Sequence, residues 1–226
     1  MHIKKDNTFN PSYTGRRDDI LTLIPDKVKK VLDVGCSIGA LGEQIKQRNH
    51  AEVVGIEIDA QMAHYAEEKL DRVVVGDIET INLQDYLVTN YFDCIIFADI
   101  LEHLKNPWEV LKNTIGFLSD NGVVIASIPN IRHYTVIVNL LFRGDWPYRK
   151  RGIYDKAHLR FFTLKKIKEM FRDSVLEIIK IERHYRIIEK PHRFSRCIKY
   201  CVFPPFREFL AFRYAVIAKK AGALKT

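Results

Sequence analysis

Asp33, Glu57, Asp77 and Asp99 each stand at or just past the end of a short run rich in Val, Ile and Phe. Between the first two lies Gly35-Cys36-Ser37-Ile38-Gly39, a loop with a glycine at each end. An apolar strand, a tight turn, a helix, and a second strand ending on an acid about twenty positions later form the half-site that α/β proteins use to hold an adenosine ribose. Glu57 is the acid placed to accept from both ribose hydroxyls. The loop is not the dinucleotide form G-x-G-x-x-G, because Ser37 stands where that pattern needs its second glycine, so no pyrophosphate cradle is implied. A small residue fits there provided its backbone keeps a negative φ.

The elements that must hold these acids can be read from the same pattern. Strands are expected over residues 30–34, 53–57, 72–75, 93–98 and 122–127, all short and apolar on both faces, as a doubly covered parallel sheet requires. Helices fit between them at 40–48, at 60–69 behind Asp59 as N-cap, and at 107–118 behind Asn106 with Pro107 in the first helical position. Thr163 caps a further helix, and strands near 175–182 and 212–218 complete seven, the last two closing on a hairpin. Between the fifth and sixth strands, residues 128–162 are basic and aromatic with no clean period, and residues 186–210 repeat that character.

Of the 226 residues, 47% are hydrophobic, ample for one large core, so a single domain over 1–226 is expected. No uncharged apolar run reaches the roughly 18 residues of a membrane helix. The basic start lacks the apolar stretch of a signal peptide, and Cys36, Cys94, Cys197 and Cys201 form no C-x-x-C pair. Reduced thiols and a cytoplasmic location are the expectation. Charge is uneven. Residues 1–120 hold 13 Lys and Arg against 20 Asp and Glu, and residues 121–226 hold 23 against 8, so a net −7 is followed by a net +15. The second half thus suits an anionic partner.

Taken together, Asp33-Val34-Gly35-Cys36-Ser37-Ile38-Gly39, Glu57, Gly76-Asp77-Ile78 and Asp99-Ile100-Leu101-Glu102-His103-Leu104 resemble the successive motifs of the class I S-adenosylmethionine (SAM) methyltransferases. Ser127-Ile128-Pro129-Asn130-Ile131-Arg132-His133 and Asp155-Lys156-Ala157-His158-Leu159-Arg160-Phe161-Phe162-Thr163 look like a bacterial subgroup of that family often found with surface-polysaccharide genes. The resemblance implies a doubly wound, mostly parallel seven-stranded α/β sheet of Rossmann-like type, with insertions over its C-terminal edge. It implies residues 1–29 as an N-terminal lid, 30–127 as the SAM-binding core, and 128–162 with 186–210 as acceptor-side insertions. It implies SAM as cofactor and S-adenosylhomocysteine (SAH) as product. Carried over residue by residue, Asp33 would help hold the methionine amino group, Gly35 and Gly39 would let the backbone approach the ligand, and Cys36 would stand in the same cofactor loop. Glu57 and Ile58 would lie at the ribose, Asp77 would accept from the adenine amino group, and Ile78 would pack on the ring. Asp99, with Tyr13 and Arg16 ahead of the first strand, completes the cofactor set.

Methyl transfer to a hydroxyl also needs a proton removed, a task suited to histidine. Of eight histidines, His103, His133 and His158 fall on segments expected at the C-terminal edge of the sheet. His158 is the first candidate for the base and His133 the second, with His103 shaping the pocket floor. Arg132, Tyr134, Tyr154 and Arg160 are the candidates for gripping an acceptor, since guanidinium forks hold phosphate and aromatic rings stack on sugars or bases. No linear metal-ligand spacing is present, so no metal and no dependence on a divalent ion are expected. The favoured acceptor is an anionic small molecule or glycan precursor, such as a sugar or nucleotide sugar, methylated on oxygen. An amine or a quinone-type acceptor is the alternative. An RNA-binding methyltransferase-like protein is the reading from another class, although nothing matches an RNA-binding fold and nucleic acid is not the expected partner. Bases among apolar residues in 194–203 also suit peripheral contact with a membrane.

Overall fold

The computed structural model describes residues 15–186 and 206–222. Seven strands among them form one sheet: β1 Lys30–Val34, β2 Glu52–Glu57, β3 Arg72–Val75, β4 Phe92–Ala98, β5 Leu118–Pro129, β6 Leu176–Tyr185 and β7 Ala211–Lys220, in the order β3-β2-β1-β4-β5-β7-β6. The first five pair in parallel, while β7 pairs antiparallel with both β5 and β6. This is the doubly wound, Rossmann-like sheet expected from the sequence, with its terminal hairpin inserted beside β5. Strand order reverses between β1 and β4. At such a switch point the connecting loops diverge to opposite faces and leave a crevice at the strand C-termini.

Alternate residues of each central strand enter opposite cores, as expected of a sheet covered on both faces. Leu32, Val54, Ile95 and Val124 pack on one side, beneath helices α4 Pro107–Thr114 and α6 Leu164–Asp173. Val31, Val53, Ile96 and Ile125 pack on the other, with α1 Asp18–Leu21 and α2 Ala40–Asn49. Only the edge strands depart from the two-sided pattern: Val75 on β3 and Ile179 on β6 are about half exposed.

Helix boundaries follow side-chain chemistry. Asp59 accepts from the N–H groups of Gln61 and Met62 at 2.9 and 3.0 Å and starts α3 Ala60–Glu67. Asn106 and Thr163 cap α4 and α6 in the same way. The helix expected over 107–118 ends sooner, at Thr114. There the threonine hydroxyl bonds back to the carbonyls of Val110 and Leu111, a 3₁₀ turn follows over Ile115–Phe117, and Leu118 is drawn into β5 opposite Phe92. In the insertion after β5, the chain forms α5 Tyr134–Val138 and a π-helical turn Asn139–Arg143.

The expected lid over 1–29 is described only from residue 15. From there it is part of the core rather than a cover: Ile20, Leu23, Ile24 and Val28 are all buried. The remainder of that lid and most of the 186–210 insertion, with the apolar-basic run 194–203, lie outside the described residues.

Candidate active site

The loop after β1 turns back on itself by two left-handed glycines, Gly35 at φ +73° and Gly39 at φ +74°. A side chain at Gly35 would collide with Ile100, at 2.9 Å, which shows how closely this loop approaches the segment after β4. Ser37 corrects the sequence expectation. Its φ is +52°, in the left-handed region, rather than negative. The loop holds it there because its N–H donates to Glu57 Oε2 at 2.7 Å. The other oxygen, Oε1, accepts from the N–H of Asp59 at 2.9 Å. Glu57 is thus buried, fixed in orientation by two backbone donors, and retains acceptor lone pairs on each oxygen. Cys36 is buried beneath the loop, close against Gly55, where a Cβ would stand 2.5 Å from its sulfur.

Asp33 lies on β1 at the floor of the crevice, 2% exposed. Burial, with the Glu57 charge adding to it, pushes its carboxyl up to about 7, although Arg17 opposes the shift. A cationic ligand group would reverse that shift. At the other end of the crevice, Asp77 Oδ1 accepts from Glu79 N–H at 2.9 Å, forming a turn that holds Ile78 half-buried behind β3. Ile58 is largely exposed, at 66%.

Asp99 is placed differently from a simple ligand. It takes a positive φ of +57°, and its carboxylate accepts from Arg17 at 2.7 Å, Arg213 at 3.0 Å and the Ser127 hydroxyl. Asp19 bridges the same two arginines, at 3.1 Å from Arg17 and 2.6 Å from Arg213. These cations hold Asp99 below the usual carboxylate range against a large cost of burial, and hold Asp19 at about 2. Arg16, expected at the cofactor, is instead solvent-facing and pairs with Asp18 at 3.3 Å. It is its neighbour Arg17 that reaches the site. Tyr13 lies outside the described residues.

Beyond Asp99, the insertion after β5 folds back onto the segment after β4. The Glu102 carbonyl accepts from the N–H groups of Leu159 and Arg160, at 2.9 and 3.0 Å. Arg160 adds a side-chain clasp on the Lys105 carbonyl, so its guanidinium braces the insertion instead of standing open. This stitching brings His158 onto Glu102, with Nε2 3.8 Å from Oε1, and onto His103, with ring centroids 4.7 Å apart. Burial lowers the pKa of both imidazoles. Glu102 is 1% exposed, and neither of its oxygens has a hydrogen-bond partner. Burial and the charge of Asp99 raise its carboxyl well above the usual range.

The other acceptor-side candidates separate from this group. His133 is buried, with Nδ1 2.8 Å from the Thr135 hydroxyl and Nε2 2.8 Å from the Arg186 carbonyl. Both nitrogens are occupied within the protein, so it is not placed to take a proton from an acceptor. Tyr154 is also buried, its hydroxyl accepting from Asn139 at 2.7 Å, in a small cluster with Val136, Ile153 and Phe212. It supports the insertion and does not line an open surface. Tyr134 is half-buried against the His133 ring, and Arg132 is exposed over the ring of Phe209.

Arg17, Asp19, Glu102 and Arg213 were not anticipated. The available signals were faint: an acid inside Asp99-Ile100-Leu101-Glu102-His103, and a lone arginine in the apolar run of β7. The expectation of no metal-ligand set rested on linear spacing, whereas the fold brings Glu102, His103 and His158 together from two distant segments.

Known proteins agree with this architecture. A family model described as a methyltransferase domain matches residues 13–181. The ubiquinone biosynthesis O-methyltransferase of Azoarcus sp. is 28% identical over 174 residues, covering 74% of this chain and 73% of that protein. The mitochondrial ubiquinone biosynthesis O-methyltransferase of Candida albicans is 26% identical over 173 residues, covering 74% and 52%. The ubiquinone biosynthesis O-methyltransferase of Pseudomonas aeruginosa is 31% identical over 134 residues, covering 54% and 57%. The chain therefore spans between about half and three quarters of these relatives. Among solved structures, a SAM-dependent methyltransferase from Archaeoglobus fulgidus superposes with a TM-score of 0.67 at 22% identity, covering 93% of this chain and 97% of that one. At that identity the likeness is one of fold.

Proposed function

The chain belongs to the class I SAM-dependent methyltransferase family, and on that premise we propose that it methylates a hydroxyl, on a phenolic or quinone-type acceptor. It is an enzyme that uses SAM. The finer reading rests on the Glu102–His103–His158 group, which stands just past the C-terminal end of β4. An amine can attack a sulfonium methyl as the neutral species, with no such group beside it. A hydroxyl must lose its proton. Phenols ionise near pH ~10, as tyrosine does, within reach of a polar group of this kind.

The reaction is an in-line displacement. The acceptor oxygen forms a bond to the methyl carbon, the carbon–sulfur bond breaks, and its electron pair returns to sulfur, leaving neutral SAH. The protein's part is chiefly alignment and the exclusion of water. Glu57 and Asp33 orient the two ends of the cofactor, and the Arg17–Asp99–Arg213 cluster closes the wall between cofactor and acceptor. The names carried by the curated relatives support an aromatic oxygen as the acceptor atom. The apolar side chains of Leu141 and Phe142, 71% and 76% exposed on the insertion, suit an acceptor with an apolar tail. The buried free thiols of Cys36 and Cys94 support a reducing, cytoplasmic setting.

A second reading, a sugar or nucleotide-sugar acceptor, is favoured by the exposed run Tyr148-Arg149-Lys150-Arg151 on the same insertion. Methyl-labelled SAM offered with a panel of catechols, hydroxyquinols and nucleotide sugars separates the two. Mass spectrometry should locate the label on a phenolic oxygen. Label on a sugar hydroxyl would establish the second reading, and label on nitrogen would overturn both.

A further inference from the structure

We propose that Glu102, His103 and His158 form a binding site for a divalent cation, Zn²⁺ or a related first-row ion, on the acceptor side of the crevice. Their candidate ligand atoms lie within 4.8 Å of one another. Two imidazoles and one carboxylate form a donor set that first-row metals favour, and three protein ligands leave coordination positions open to a substrate.

Three observations carry the assignment. The first is the Glu102 carboxylate, 1% exposed with both oxygens unpartnered. A buried polar group with no partner is costly, and a cation bound between the two histidines and this carboxylate would offset that cost. The second is the spacing. His158 Nε2 and Glu102 Oε1 are 3.8 Å apart, too far for a hydrogen bond, yet suited to two atoms each about 2.0–2.2 Å from a shared ion. The third is how the His103 imidazole is held. His103 Nδ1 is 3.2 Å from the Ala157 carbonyl, so that nitrogen must carry the proton, which puts the lone pair on Nε2. Metal-binding histidines characteristically use one ring nitrogen in this way to orient the other. The backbone bonds from Leu159 and Arg160 to Glu102 then keep the two halves of the site in register.

The binding proposal stands on these residues alone, while the role of the ion rests on the hydroxyl reading above. In that role the acceptor oxygen would sit on the ion, which lowers the pKa of its hydroxyl. The proton leaves to water, and the resulting oxyanion attacks the methyl group.

The test uses the full chain, stripped with EDTA and titrated with Co²⁺ while visible absorbance is followed, and with Zn²⁺ in a calorimeter. One equivalent should bind, with ligand-field bands on saturation. Glu102→Gln and His158→Ala should each weaken binding by at least tenfold while SAH affinity, the check on folding, stays near wild type. If Glu102→Gln fails to bind SAH, His103→Ala with His158→Ala supplies the comparison. Wild-type protein that binds SAH but shows no saturable Co²⁺ site would overturn the proposal, as would folded variants binding the ion as tightly as wild type. A protein that binds the ion yet methylates no hydroxyl would refute the hydroxyl reading and leave the site standing.

Discussion

The Arg17 guanidinium donates to the Asp99 carboxylate at 2.7 Å, tying the segment ahead of β1 to the first residue after β4 across the point where strand order reverses. Arg213 approaches the same carboxylate at 3.0 Å from β7. Asp99 adopts its left-handed backbone under these two cations, so the pair shapes the wall of the crevice. Arg17→Ala leaves Asp99 with less compensation for its partial burial and should cost about 1–3 kcal/mol, the range for a hydrogen bond to a charged group. Arg16→Ala, next in the chain but solvent-facing, should change stability by less than about 0.5 kcal/mol. Urea denaturation of both variants makes the comparison. Equal effects would mean that the Arg17 contact contributes nothing.

Asp33 makes cofactor affinity depend on pH. Its carboxyl is raised to about 7 by burial, so without ligand it takes up a proton between its unfolded value, about 4, and pH 7. The folded state then binds more protons than the unfolded one across that window. Stability therefore falls as pH rises through it, and the loss is complete above about 7. A ligand ammonium favours the ionised form, so SAH affinity should rise across the same window and level off above it. Asp33→Asn should flatten the dependence and bind as the protonated wild type does. Calorimetric titrations between pH 5.5 and 8.5, buffer ionisation accounted for, measure this, and a wild-type affinity independent of pH would remove Asp33 from the amino-group contact.

His133→Ala should act on folding and not on chemistry. The imidazole joins the start of α5 to the Arg186 carbonyl, both nitrogens at 2.8 Å from their partners. Losing it leaves buried groups unpaired and should cost about 1–3 kcal/mol, with the pH profile of kcat unchanged in shape. A profile that lost one limb in this variant alone would restore His133 as the base.

The sheet was legible because both cores demand the same local signal. Short runs such as Val31-Leu32 and Ile95-Ile96 must be apolar on consecutive residues, and their ends are marked by the acids and glycines of the crevice. Asp59, Asn106 and Thr163 were legible as caps because capping depends on residues two or three positions apart. Ser37 departs from its local expectation for the opposite reason. Its left-handed backbone is imposed by a bond to Glu57, twenty residues away, which local preference cannot reveal. The same holds for His158 and Glu102, which meet only because the insertion folds back onto the segment after β4. Tyr154 and Arg160 look from composition like binding groups, yet they are used to build that insertion.

The cofactor site itself is tested most directly by titrating SAH into wild type and into Glu57→Ala at a pH above 7.5, with circular dichroism confirming that both are folded. Glu57 is held by the N–H groups of Ser37 and Asp59 in an orientation that leaves lone pairs for a ribose. Hydrogen bonds to a charged group contribute about 1.5–3 kcal/mol, so SAH affinity should fall by roughly tenfold to more than a hundredfold in the variant. Unchanged affinity in a folded Glu57→Ala protein would contradict the placement of the cofactor between the β1 loop and the end of β2.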